Sequence, residues 1–320
     1  MRAAGIRQFG GEVEYLELPA PRALRAGEVL IDVRACGMGN WDDIARAGAW
    51  DLGVRPPMAL GVEAAGLVAA AGDAAGGVRA GDPVTTHSLP LREQGSWAEQ
   101  FIAAAAHVAP VPAGLPLDVA GALPVPALTA DQAVTDALDV QAGQTVLVNG
   151  AGGVTGGILV QLAVHLGATV IATASEHSAG HVLAMGAASV VDYHQPDWPE
   201  QVRQLAGGGV DAVANAARAG AADAMRAVRD GGRLATITHD PPDAGRGISV
   251  HAVEVAPDGA RLARLTRLAA EGVVTIDIGG QYPLEQAATA LAQVERGARG
   301  AAIVLRPAGS SRMAGRPLAQ

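Results

Sequence analysis

The sequence predicts an α/β protein in which a strand-rich first domain is joined to a doubly wound parallel sheet. Residues 1 to about 110 read as strands and turns, and from about 127 to 255 short apolar runs alternate with helical segments. Between them in weight stands Gln144–Ser175, a complete βαβ unit that opens on glycines.

In order, Val13–Leu18 and Gly27–Gly37 read as strands. In the second, Val29, Ile31, Val33 and Ala35 alternate with Leu30, Asp32 and Arg34, as a half-buried strand requires. A short helix from Trp41 to Ala47, the glycine-bounded run Leu60–Val68 and the turn Gly81–Val84 leading into strand Pro83–Thr86 fit a small β-barrel. Val111–Pro126 is dense in proline and marks the domain crossing. Beyond it the pattern predicts helix 127–139, strand 145–148, a helix carrying Ile158, Leu159, Leu162 and Leu166 and ended by Gly167, then strand 169–173. Strand 188–192, helix 199–206, strand 210–214, helix 219–229 and strands 233–237 and 248–255 follow. The last segment, helix 258–271, strand 273–278, helix 284–296 and strand 301–305, is expected to return to the first domain. The predicted division is 1–122 with 272–307, 123–271, and a flexible polar tail 308–320.

The chain has 320 residues, 49% of them hydrophobic, enough to bury the cores of two domains. A net charge of −9 argues against a nucleic-acid or anionic-membrane surface. No apolar run approaches the roughly 20 residues a membrane span needs, and Met1–Gly5 runs into a strand pattern without a secretory h-region, so a cytoplasmic protein is expected. Cys36 is the single cysteine and reads as a small buried apolar residue.

In the βαβ unit, glycine at 150, 153 and 156 lets the backbone turn sharply from strand to helix and brings amides close to a ligand. A pyrophosphate fits on the helix N-terminus, where unpaired N–H groups and the dipole favour negative charge. A carboxylate closing the second strand would read the ribose 2′-hydroxyl of NAD. That strand ends instead in Thr173, Ala174 and Ser175, and the Ser175 hydroxyl suits a 2′-phosphate, so NADPH is the expected cofactor. Glu176 and the absence of Lys or Arg from 174–182 weigh the other way. His177 and His181 read as solvated helix residues.

The segments Gly27–Val33, Leu60–Gly66, Gly81–Val84, Gly95–Glu99, Ala122–Pro124 with Leu128–Ala130, Gly150–Ala163, Leu183–Tyr193, Gly231–Ile237 and Pro283–Ala287 resemble, in order, the zinc-independent quinone oxidoreductase branch of the medium-chain dehydrogenase/reductase superfamily. The resemblance implies a GroES-like catalytic barrel plus a Rossmann domain, with the active site in the cleft between them. It carries over Thr129 to the nicotinamide, Gly150, Gly153, Val154 and Gly156 to the pyrophosphate, and Ser175 and Tyr193 to the 2′-phosphate and adenosine ribose. Asn215 and Ile237, at the C-terminal ends of later strands, complete the expected cofactor contacts.

Zinc-using relatives have Cys and His where this chain has Gly39 and Val62, and the four-cysteine lobe is missing, so no metal is expected. Relatives also carry Asn-Pro-x-Asp and Arg-x-Gly-x-Tyr; here stand Gly39-Asn40-Trp41-Asp42 and Arg46 to Trp50. The family asparagine falls on Gly39 and the tyrosine on Trp50, which predicts a pocket reshaped by two indoles. Trp41 and Trp50 can stack on a flat substrate and donate through Nε1–H, or plug the barrel mouth. Asn40 and His87 are further candidates at the substrate, although His87 reads as a satisfied barrel histidine before a proton donor. Asp42 and Asp43 read as helix-start caps before an acid–base pair, and Glu63 as structural. The function expected is hydride transfer to a quinone or an α,β-unsaturated carbonyl, acting as a homodimer through strand 248–255. A tailoring enoyl reductase for a polycyclic intermediate and a cofactor-bound protein without turnover remain alternatives.

Overall fold

The computed structural model describes residues 1–297 and 300–307, so the tail predicted as flexible lies outside the described residues. In chain order the elements are β1 (Arg2–Ile6), β2 (Glu14–Glu17), β3 (Glu28–Met38), α1 (Asn40–Arg46), β4 (Met58–Ala59), β5 (Glu63–Ala71), β6 (Pro83–His87), β7 (Gln100–Ala104), β8 (Val108–Pro110), α2 (Leu117–Ala122) and α3 (Pro124–Gln132). After a π turn at Ala133–Ala137 come β9 (Thr145–Asn149), α4 (Val154–His165), β10 (Thr169–Ala174), α5 (Glu176–Ala184), β11 (Ser189–Asp192), α6 (Trp198–Leu205), β12 (Val210–Asn215), α7 (Ala221–Ala227), β13 (Val228–Thr236) and β14 (Ser249–Ala252). The chain closes with α8 (Gly259–Ala270), β15 (Ile278–Pro283), α9 (Ala287–Glu295) and β16 (Ala302–Arg306). The described residues form two compact units, 1–125 with 257–270, 276–297 and 300–307, and 126–256 with 271–275.

The first unit is the GroES-like β domain. Its main sheet runs β15-β16-β3-β5-β6-β8, with β7 also pairing β3, and a smaller sheet runs β2-β1-β4. β3 is the central strand: Val29, Ile31, Val33 and Ala35 are buried, as the alternation predicts. Its register against β5 shifts at Leu30/Ile31 and Val33/Ala35, bulges that add the twist a closed sheet needs. The proline-dense stretch expected to be a mere crossing instead contains α2, tied down where Thr85 Oγ1 donates to Ala120 O at 2.6 Å. α8 also belongs to this unit, where the last segment of the chain was expected, although the division drawn at 271 left it in the other. Thr266 Oγ1 bonds Pro110 O of β8 at 3.2 Å.

The second unit is a Rossmann-type sheet of six parallel strands in the order β11-β10-β9-β12-β13-β14. Its β-branched strand interiors are buried on both faces, as a parallel sheet demands. Two predicted elements shift. The helix expected over 219–229 ends at Ala227, because Val228 joins the ladder opposite Val210. The strand expected over 273–278 forms at Ile278–Pro283 instead. Thr275 is held by a side chain, its N–H and Oγ1 lying 2.7 and 3.0 Å from Gln161 Oε1.

Candidate functional site

Gly150 sits at the end of β9 with φ +86°, a left-handed conformation that costs a side chain about 1 kcal/mol or more. Its N–H donates to Thr173 Oγ1 at 2.9 Å, and the Gly153 N–H donates to Gly150 O at 3.2 Å. Both amides therefore hold the turn together, and the two glycines border the cavity through the shape of the turn and not through unbonded N–H groups. The free donors come one step later. Among the described residues, the first-turn amides of Val154, Thr155 and Gly156 in α4 find no acceptor. Gly156 is fixed by space, since a Cβ there would lie 2.1 Å from Gly150 O.

Beside this turn opens a cavity of about 450 Å³. Gly150, Gly152, Gly153, Ser175 and Tyr193 line it, together with Asn149, Ser178, Trp198 and Arg218, which sequence reasoning did not single out. Ser175 caps α5, with its Oγ 3.4 Å from Ser178 Oγ. Tyr193 is half-exposed, and its ring lies 4.2 Å from that of His194, whose Nδ1 is 2.7 Å from Asp192 Oδ1. His177 and His181 are exposed on α5 and do not line this cavity.

Asn215 and Ile237 do not line it either. Asn215 is fully buried in a network that joins the strand ends. It accepts from Asn149 Nδ2 at 2.8 Å and donates to Thr236 Oγ1 at 3.0 Å. The Thr173 hydroxyl donates to Asn149 Oδ1 at 2.6 Å, and the Ile237 N–H donates to Asn215 O at 3.0 Å. Asp240 closes the network, accepting from Thr236 and Thr238 hydroxyls at 2.7 and 2.6 Å. Burial pushes its carboxyl up, but those hydrogen bonds and the Ala221 amide outweigh it and hold the carboxyl below its ordinary value. Asn215 is thus a scaffold residue. Thr129 is buried in α3 and is likewise absent from the cavity wall.

In the first unit, α1 follows directly on β3. Asn40 is exposed at its start. The Trp41 indole lies over Gly39: a Cβ at Gly39 would sit 2.3 Å from two of its ring carbons. Asp42 is buried, and its Oδ2 accepts the Gly39 N–H at 2.9 Å. Desolvation outweighs that bond and pushes the carboxyl up to about 8, so Asp42 is mostly protonated at neutral pH. Asp43 instead pairs with Arg46 Nε at 2.7 Å, so the two aspartates have separate partners. Glu63 accepts the Val125 N–H at 2.7 Å, and burial raises it well above its ordinary value despite that bond. Cys36 is buried too, its Sγ 3.6 Å from Leu305 O.

His87 is paired in register with Glu63 across β5 and β6. Its Nδ1 lies 3.1 Å from Val62 O, a carbonyl that only accepts, so Nδ1 carries the proton. Burial lowers His87 to about 4, so the ring is neutral and the buried-histidine reading fits it better than an imidazolium proton donor. Trp50 is half-buried beyond α1. Trp41 Nε1, Asp42 Oδ1, His87 Nε2 and Ser88 Oγ are buried without a partner among the described residues. Ser88 had given no signal in the sequence.

Over 312 residues the chain is 30% identical to a quinone oxidoreductase of Mus musculus, spanning 91% of this chain and 92% of that protein. The chain belongs to the quinone oxidoreductase type of the medium-chain dehydrogenase/reductase family. Residues 25–113 match the alcohol dehydrogenase GroES-like domain and residues 185–305 match the family described as zinc-binding dehydrogenase. Among solved structures this medium-chain dehydrogenase/reductase is similar to an NAD-dependent alcohol dehydrogenase, at 30% identity and TM-score 0.87 over 96% of this chain and 99% of that one. It is also similar to a mycobacterial protein complexed with NADPH, at 29% identity and TM-score 0.85 over 96% and 100%. Other curated relatives are longer. A Danio rerio synaptic vesicle membrane protein VAT-1 homolog is 32% identical over 215 residues, 66% of this chain and 44% of that protein. The chain thus spans about half the length of the first such relatives. Among the described residues, no helix is long and apolar enough to cross a membrane.

Proposed function

We propose that this protein is an NADPH-dependent, zinc-independent reductase that delivers hydride to a quinone or an α,β-unsaturated carbonyl compound. The observation that carries this reading is the pairing of unbonded first-turn amides on α4 with an adjacent cavity of about 450 Å³. A dinucleotide suits both: the amides and the dipole of a twelve-residue helix favour a pyrophosphate, and the absence of a Cβ at Gly156 lets the helix start against the turn. When bound, the dihydronicotinamide supplies the hydride. This chain's residues bind and orient. Val154 and Gly156 offer amides, Ser175 and Tyr193 take the adenosine end, and Thr129 is proposed at the nicotinamide.

On the substrate side the oxygen that gains charge needs a donor. Trp41 Nε1–H, buried and unpartnered among the described residues, is proposed for that role, with Asn40 and Trp50 beside the substrate ring. Asp42 keeps its proton and adds no negative charge that would oppose the developing one. Absence of zinc is supported by residue types: among the described residues no three His, Cys, Asp or Glu side chains converge as a metal site. The open edge of β14 is proposed as a homodimer contact, and sedimentation as a monomer at micromolar concentration would contradict it.

The test is a titration with NADPH read by protein fluorescence and melting temperature, followed by stopped-flow oxidation over a panel of quinones and enones, with zinc measured in parallel. Acceptor-dependent oxidation without stoichiometric zinc is expected. Binding without oxidation by any acceptor would favour a non-catalytic role, and no binding would end the proposal.

A further inference from the structure

We propose that Arg218 is the residue that reads the 2′-phosphate of the cofactor, from the loop after β12 and not from the segment after β10. This rests on the NADPH reading above. A 2′-phosphate brings nearly two negative charges, which hydroxyls alone neutralise poorly. Yet residues 174–182, which follow the strand that faces the ribose, contain no Lys or Arg. Of the residues lining the 450 Å³ cavity, Arg218 is the one that carries positive charge.

Arg218 is exposed, and among the described residues its guanidinium has neither a hydrogen bond nor an ion pair. Its loop is nonetheless well anchored. The Ala216 N–H donates to Asn149 O at 2.8 Å, Asn215 Nδ2 donates to Ala217 O at 3.1 Å, and the Gly220 N–H donates to Ala217 O at 3.0 Å. Ala219 adopts φ +55°, a strained turn conformation for a residue with a Cβ. An anchored loop thus carries an unpaired planar fork at the cavity that Ser175 and Ser178 also line, and such a fork can meet a phosphate in bidentate fashion. Asp223, the carboxylate on this wall, lies 3.5 Å from Arg226 Nη1, so its charge is partly met within α7.

The experiment is calorimetric titration of wild-type protein, Arg218→Ala and Arg218→Lys with adenosine 2′,5′-bisphosphate and with 5′-AMP, and then with NADPH and NADH. Loss of a charge-assisted fork predicts roughly a 10- to 100-fold weaker 2′,5′-bisphosphate and NADPH for Arg218→Ala. 5′-AMP and NADH should change less than about twofold, and Arg218→Lys should recover part of the loss. Equal weakening of all four ligands would mean that Arg218 stacks on adenine, and no weakening would mean that it stands clear; either overturns the assignment. A wild-type protein that binds 5′-AMP as tightly as the bisphosphate would instead sink the NADPH reading itself.

Discussion

The strand ends of the Rossmann-type unit and the corresponding end of the GroES-like sheet treat buried polar groups in opposite ways. At the ends of β9, β10, β12 and β13, Asn149, Thr173, Asn215, Thr236 and Asp240 bond one another, and Asp240 stays ionised. At the ends of β3, β5 and β6, burial pushes the Asp42 and Glu63 carboxyls up, and Trp41, His87 and Ser88 each leave a polar atom unpaired among the described residues. A satisfied network fixes a turn in one shape. An unsatisfied set costs stability and is tolerated where something else is to be bound. The difference separates strand ends that satisfy one another from strand ends with polar atoms to spare.

The largest expected effect comes from crowding the glycine turn. Gly156→Ala places a Cβ 2.1 Å from a backbone oxygen that cannot move without the turn. It should lower stability by about 1–3 kcal/mol or more and abolish NADPH binding in a fluorescence titration. Retained affinity would show that the turn is soft and break the contrast.

The protonated carboxyl comes next. The folded value for Asp42, about 8, lies above its ordinary 3.8, so the native state holds the proton longer than the unfolded chain does. Its contribution is therefore full below about pH 4 and is lost as pH rises to about 8, at up to about 1.4 kcal/mol per pH unit. Glu63 acts in the same direction. Carboxylates held low, such as Glu28 at about 2, act only in more acidic solution. Asp42→Asn should flatten the fall of denaturant-derived stability between pH 5 and 8, and an unchanged slope would show that Asp42 is ionised.

The last two substitutions form a matched pair. Thr173→Val strands the Gly150 amide and Asn149 Oδ1, at about 1–3 kcal/mol. Ser88→Ala removes a hydroxyl that has no partner among the described residues and should stay within about 0.5 kcal/mol of wild type. Urea melts showing equal costs would mean that the two regions are not different after all.

Much of this was legible beforehand because it is periodic. The βαβ unit falls where the apolar runs put it, with β9 and β10 each one residue longer than predicted. What escaped is what periodicity does not encode. α2 was hidden by flanking prolines, and the strand predicted at 273 was displaced by one glutamine side chain. The glycine spacing located the turn but could not say that Thr173 would consume the first amide. Arg218 stands alone on a loop and becomes informative only once the cavity beside it is seen.

The indole resting on Gly39 has an evolutionary corollary. Any side chain at 39 must displace the ring of Trp41, so an asparagine of the kind relatives carry would return only with a move of that indole. The two positions form an epistatic pair, and descendants of this lineage would be expected to trade glycine and tryptophan together or keep both.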